Sequence, residues 1–216
     1  MVVIKGHKLE VEKLYISDKG NMYYDRKKLY IQTPIIKILN DLNKYENNGK
    51  KSLSIDLSFG DLDVNKNIEV FYHNLENMDS LILESGIKNS KEWLNKQSVK
   101  DLIESCYKPL LRKSVDKKTN EPNGLFPTSM RVKINTSTKI YNFQDELIEN
   151  KKLDDLFVKG CKVQTILGTY GVWNMNNKFG CSWYIEKIRI EQETEDSYHF
   201  INDSDSDSSD DSDSDG

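Results

Sequence analysis

The sequence predicts an α+β, mainly β fold: a small barrel of short strands with flanking helices on residues 1–190, followed by a disordered acidic tail at 191–216. Three observations predict it. Alternating apolar and polar residues recur from the N-terminus to residue 190, only two stretches repeat at helical spacing, and from Glu191 onward there are eleven acidic residues and no Lys or Arg. A length of 216 residues with 37% hydrophobic content supports one core with appendages, not two large domains.

In chain order, Lys8–Ile16 alternates as a strand, Asp18–Asn21 reads as a turn, and Lys27–Thr33 continues as a strand until Pro34 ends it or begins an edge. Asn43–Lys51 reads as a polar loop before a strand at Ser52–Phe59 with Leu53, Ile55 and Leu57 on one face. Ile68, Phe71, Leu75, Met78 and Ile82 recur at helical spacing behind Asn65 or Asn67 as N-cap. Ser98 and Asp101 form a capping-box-like pair before Leu102, Ile103 and Cys106, and Pro109 stops that helix. After a polar loop at Lys113–Asn123, Met130, Val132 and Ile134 alternate with Arg131 and Lys133. A helical or irregular link around Asp145–Leu156 precedes two long strands, Cys161–Trp173 and Phe179–Ile190, joined by NMNNK, whose asparagines tolerate the left-handed backbone of a tight hairpin.

Centring that turn on Asn176–Asn177 pairs Met175 with Lys178, Trp173 with Gly180, Gly171 with Ser182 and Thr169 with Tyr184. One face then carries Tyr170, Val172, Phe179, Cys181, Trp183 and Ile185, which suits a core. The other presents Trp173 among small residues with Tyr184 nearby, a platform on which a nucleobase can stack or a ring that covers a weak glycine-rich pair; a one-residue slip would exchange the faces. Because Lys187 and Arg189 take over the parity of Trp183 and Ile185, the strand must curl or bulge, as in small closed barrels.

Charge divides the chain. The formal −4 separates into +7 for residues 1–190, with 31 basic against 24 acidic side chains, and −11 for the rest. A basic body attracts a polyanion, and an acidic tail competes for the same surface or offers itself to a basic partner. The nucleic-acid-binding candidates are Lys108, Arg112 and Lys113 after the second helix, Arg131 and Lys133 on their strand, Lys178, and the rings of Tyr107, Phe126, Trp173 and Tyr184, since single-strand binders line a cationic groove with stacking rings. In the tail, Ser204, Ser208 and Ser212 each have an Asp three positions later and are candidate sites for an acidophilic kinase, against the reading that the tail aids solubility.

YKPLLRKS at 107–114, GLFPTSMRVKI at 124–134 and GTYGVWNMNNKFGCSWYIEKIRI at 168–190, with TPII at 33–36, resemble the OB-fold single-stranded DNA-binding proteins of nucleocytoplasmic large DNA viruses. The resemblance covers most of residues 20–190, and its most specific part is Trp173, Lys178–Gly180 and Trp183. It implies an OB-like barrel with flanking helices and additional N-terminal strands. It also implies a protein that coats exposed single strands in viral replication, recombination or repair, at replication sites in the host cytoplasm or in the virion. Acidic tails in unrelated single-strand binders recruit replication or repair enzymes and compete for the groove, and both roles are expected here.

Other classes find little support. His7, His73 and His199 stand near no ligand-like set, Asp61 and Asp63 read as a turn after Gly60, and Gly168 and Gly171 precede a strand, so no catalytic residue, metal or cofactor is expected. Three scattered cysteines, Cys106, Cys161 and Cys181, predict reduced thiols, and neither a signal peptide nor a membrane span is legible, which predicts a soluble intracellular protein. No helix gathers Arg and Lys as a duplex-reading helix would. The remaining alternative is a non-enzymatic interaction module whose acidic tail binds basic viral or host proteins. Whether the strand bound is DNA or RNA, and the oligomeric state, stay open at this level.

Overall fold

The computed structural model describes residues 1–47, 49–94, 100–149 and 151–191. The tail, with Ser204, Ser208 and Ser212, and the Ser98 cap lie outside the described residues.

The chain begins with strands β1 (Val2–Lys5), β2 (Leu14–Ile16), β3 (Met22–Tyr24), β4 (Lys27–Gln32) and β5 (Ile36–Lys37). The alternation of Lys8–Ile16 becomes strand only from Leu14. Before it the backbone makes two 3-10 turns, because Gly6 lies against α1 (Lys66–Lys88): a Cβ on Gly6 would fall 2.4 Å from the Phe71 ring, and the Asn74 amide donates to Gly6 O at 2.9 Å. The stretch 43–51 is likewise a correction. It is no loop but a hairpin of β6 (Asn43–Asn47) and β7 (Lys50–Ser58), turning through Gly49 at φ +74; the Asn48–Gly49 pair is a hairpin signal that polar composition masked.

Helix α1 follows its pattern. Ile68, Phe71, Leu75, Met78 and Ile82 are all buried, and the Asn65 side chain accepts from the N–H groups of Asn67 and Ile68 as the N-cap. Short helices α2 (Ser90–Leu94) and α3 (Lys100–Cys106) lead to β8 (Tyr107–Lys108) and β9 (Leu111–Arg112). Then come β10 (Ser129–Tyr141), α4 (Leu153–Leu156), β11 (Lys162–Met175) and β12 (Lys178–Ile190).

All twelve strands join one sheet, ordered β2-β3-β4-β11-β12-β10-β7-β6, with β1 on β4, β8 on β12 and β9 on β10. The N-terminal strands therefore extend the main sheet through β4 on β11 and do not form a separate one. The sheet curls: β5 ladders with β11, and Ile38, the residue after β5, meets β7 through an isolated bridge to Leu57. Inside the curl lie Ile55, Leu57, Met130, Val132, Val163, Leu167, Phe179, Trp183 and Ile185, and α1 covers one opening, its Gly86 packed on Phe179. The expected mainly β fold with flanking helices is thus met, as a curled sheet.

Register in the long hairpin holds at its tip and shifts lower down. Asn176 and Asn177 turn at φ +52 and +56, and Met175 pairs with Lys178 and Trp173 with Gly180. Below that, Tyr170 and Gly171 together oppose Ser182, so Thr169 pairs with Trp183 and Gly168 with Tyr184, in place of the uniform ladder expected. Gly171 has φ +81, and a Cβ there would meet Gly20 O at 2.5 Å; the N-terminal turn holds the bulge from above, with Val172 N–H donating to Gly20 O at 2.8 Å. Tyr170, expected in the core, is consequently thrown outward and is 54% exposed. A second bulge on β12 skips Glu186, which accounts for the parity change at Lys187.

Candidate nucleic-acid interface

Strand pairing assigns the outer face. Gly180, Ser182 and Tyr184 of β12 alternate with buried Phe179, Trp183 and Ile185, and Trp173 (β11), Lys133 (β10) and Ser54 (β7) share the outer side through direct pairing. Along this face Lys108, Arg112, Arg131, Lys133 and Trp173 converge on a groove of about 250 Å³, closed at the sheet edge by Tyr45. Trp173 is half-buried over Gly180, where a Cβ would come 3.1 Å from the ring, so glycine is what lets the indole settle there.

The cations of the groove are held in different ways. Arg131 donates two bonds to Asp56 at 2.8 Å each, and Asn43 donates a third at 3.1 Å. Burial would raise the Asp56 carboxyl, which is 3% exposed, but the Arg131 fork and the Asn43 amide outweigh it and hold the carboxyl below its ordinary range. Arg131 is in turn raised by that bond. Among the described residues no carboxylate forms an ion pair with Lys108, Arg112 or Lys133. Arg112 is lowered by desolvation and then by the like charge of Arg131, so an incoming anion would relieve it.

Asp79 positions two of these cations. From α1 it accepts the Tyr107 hydroxyl, the Leu110 N–H at 2.7 Å and the Leu111 N–H at 3.3 Å, which fixes the segment carrying Lys108 and Arg112. Burial leaves Asp79 above the ordinary carboxylate range despite these donors, and raises the Tyr107 hydroxyl.

The other candidates lie elsewhere. Tyr107 packs on Phe179 at 5.2 Å with its hydroxyl on Asp79, so it supports the groove from behind and offers no open ring. Tyr184 is on the outer face but only 8% exposed, covered by Tyr170 at 4.5 Å. Lys178 is at the hairpin tip, and Lys113 and Phe126 are exposed on or beside the 113–127 loop; none of the three lines the groove. Sequence reasoning missed Tyr45, hidden in a supposed loop, and Tyr170, whose ring carries Lys133 Nζ at 5.7 Å and whose hydroxyl donates to Asn135. It also missed Lys28 over Tyr30 at 5.2 Å, although the alternation of Lys28, Tyr30 and Gln32 against buried Leu29 and Ile31 signals an outward row.

Cys181 borders the groove with its thiol pushed up to about 12 by burial, so it is protonated at neutral pH. Asp61 accepts from Lys37 in a turn, and among the described residues no group of His, Cys, Asp and Glu could hold a metal. No described helix is long and apolar enough to cross a membrane.

The fold resembles solved single-stranded DNA-binding proteins of bacteriophages. The Enc34 protein, solved in complex with ssDNA, superposes with a TM-score of 0.50 at 14% identity over 85% of this chain and 98% of that one. Protein gp2.5 of bacteriophage T7 gives 0.46 at 10% identity over 81% and 100%. At such identity the likeness to the Enc34 protein speaks for the fold. No curated protein matches the sequence. Residues 54–202 match the family described as "Family of unknown function (DUF5871)". Neither finding extends to large DNA viruses, so the fold part of the sequence resemblance stands and that viral assignment is not supported by them.

Proposed function

We propose single-stranded DNA binding, with little base preference, for this chain, which belongs to the family of unknown function (DUF5871). The observation that carries the reading is the half-buried Trp173 in a groove with Lys108, Arg112 and Lys133, cations that no carboxylate pairs among the described residues. A groove of cations with a stacking ring binds any base, because each has a π face, and tracks any backbone. Arg131, tied to Asp56, orients the wall more than it supplies charge. That the Enc34 phage protein of similar fold was solved with ssDNA supports the same reading.

The finer parts of the proposal follow from chemistry and from the sequence resemblance. Coating of exposed strands in viral replication, recombination or repair is the role the resemblance implies. The tail from Glu191, with eleven acidic residues, competes for the cationic groove or recruits replication and repair proteins, and phosphorylation at Ser204, Ser208 or Ser212 strengthens the competition by adding about −1.5 to −2 charges per site.

The test is fluorescence anisotropy of labelled oligo-dT and the matching duplex against full-length protein and residues 1–190, over a salt series. Preference for the single strand, a log–log salt slope of about −0.7 per phosphate contacted, and tighter binding without the tail are expected. A truncated body that ignores oligo-dT at low salt refutes the reading.

A further inference from the structure

The groove around Trp173 occupies only part of the outward face, and strand register shows where that face continues. The register shift between Ile166 and Leu167 places its extra residue, Glu186, on β12, so β11 itself alternates without a break and Gly168, Ile166 and Gln164 share one side. Their partners share it too: Tyr30 and Tyr184 flank Gly168, Gln32 and Lys187 flank Ile166, and Arg189 pairs with Gln164. From β10, Lys133 pairs with Tyr184, Lys139 with Lys187 and Tyr141 with Arg189. The row that begins at Trp173 therefore runs through Lys133, Tyr170 and Tyr184 to Lys187 without leaving the outer surface.

At its far end Gln32, Tyr141, Gln164, Lys187 and Arg189 line a pocket of about 280 Å³. Lys139 and Lys187 are exposed, stand opposite each other on paired strands, and have no carboxylate in an ion pair among the described residues. Like charges directly opposed in a ladder are unfavourable, which a bound anion between them would reverse. The carboxylate of Asp145 also lines the pocket but does not neutralise the two lysines, because Arg189 holds both its oxygens at 2.6 and 2.7 Å. The pocket also holds two side-chain amides. That of Gln32 makes no hydrogen bond among the described residues, and Gln164 only accepts a long one, 3.4 Å, from Arg189.

We infer that this pocket is a second nucleotide subsite on the same track, with a phosphate between Lys139 and Lys187 and a base against Tyr141 within reach of the Gln32 and Gln164 amides. The inference rests on the single-strand-binding reading and extends it. From Gly180 to Arg189 the track follows ten residues of β12, at most about 30 Å over nine steps of about 3.3 Å, a length that several nucleotides span. The subsite differs from the groove in its main contact: two side-chain amides, which donate to and accept from a base edge, in place of the broad indole face of Trp173.

Oligo-dT of roughly 4 to 16 nucleotides, the range of site sizes for such folds, separates the two sites by anisotropy on the full-length protein. In the wild type, affinity should rise with length until both sites are filled. The double variant Lys139→Glu/Lys187→Glu should bind the shortest oligonucleotides as the wild type does, reach its plateau at a shorter length, and bind the longest about tenfold more weakly with a salt slope shallower by about 1.4. Lys88→Glu/Lys91→Glu, the same charge change on α1 and α2 away from both sites, controls for net charge. Equal loss at every length, loss matched by the control, or no loss at the longest length overturns the subsite. Trp173→Ala distinguishes the underlying reading: if it leaves short-oligonucleotide binding intact while the lysine variant still removes the length dependence, the groove assignment falls and the subsite stands. A wild-type protein that binds no oligonucleotide overturns both.

Discussion

Replacing Trp173 by Ala tests the groove most directly, because the structure separates its binding role from its structural one. The indole is half-buried, outside the cluster of fully buried side chains, and rests over Gly180, whereas Trp183, ten residues on, is 2% exposed inside the curl. Loss of one stacked base costs about 1–3 kcal/mol, or roughly 5- to 150-fold in Kd. The cost to stability should stay well below the 3–5 kcal/mol typical of deleting a core aromatic, which is the loss expected for Trp183→Ala. Because no charge is removed, the salt slope should not change, in contrast to any lysine variant. Anisotropy with oligo-dT at several salt concentrations, paired with urea denaturation, reads all three quantities. A folded Trp173→Ala protein with unchanged affinity, or a variant that unfolds as Trp183→Ala does, refutes the assignment of the outer face as the binding face.

Three further substitutions probe the scaffold. Asp79→Ala removes the acceptor for Tyr107, Leu110 and Leu111, so it should destabilise by at least about 2 kcal/mol in denaturant and weaken oligo-dT binding as Lys108 and Arg112 lose their anchor; a stable, fully binding variant would count against a positioning role. Asp56 is held below its ordinary value of 3.8, so its contribution to stability is complete above that pH and is lost as pH falls through it towards the folded value; Asp56→Asn should remove that part of the acid limb from a plot of stability against pH, and an unchanged limb would show the pair with Arg131 to be inert. Gly86→Ala should gain up to about 1 kcal/mol in helix propensity yet lower the melting temperature, because the new Cβ falls 2.4 Å from the fully buried Phe179 ring and overpacking costs about 1–3 kcal/mol; a higher melting temperature would mean that the ring moves aside freely.

Much of the fold was legible because its signals are local. The apolar spacing of α1 and its Asn65 cap, the alternation of Met130, Val132 and Ile134, and the Asn176–Asn177 turn each fix an element without reference to the rest of the chain. What misled was sequence whose conformation is decided elsewhere. Lys8–Lys13 alternates as a strand would, but the chain enters it from Gly6, which Phe71 and Asn74, more than sixty residues further on, hold against α1 at the start of two 3-10 turns. The polar stretch 43–51 pairs because Asn43 and Tyr45 meet Ser54 and Ser52 across a glycine turn, and the edge so formed needs no apolar side chains.

The candidate site shows the same division, and the misplacement of Tyr170 within it traces to one bulge. Up to Val172 the hairpin follows simple alternation from its tip, which is why Trp173, Lys133 and Arg131 were assigned to one side and the structure brings them together. At Tyr170–Gly171 the extra residue reverses the parity of β11 below it, sending Tyr170 outward to cover Tyr184 and carry Lys133. That reversal depends on Gly171 at φ +81 facing Gly20 O, a contact between two turns about 150 residues apart that no local pattern announces. Its consequence is functional as well as geometric. Without the bulge, Tyr170 would join the core; with it, Tyr170 covers Tyr184 and carries Lys133 on the outer face, which makes the aromatic row between Trp173 and Lys187 continuous. A substitution of Gly171 by Ala, which must both strain the backbone and displace Gly20, should therefore weaken binding to long oligonucleotides more than to short ones, and a length-independent loss would show that the bulge supports only the fold.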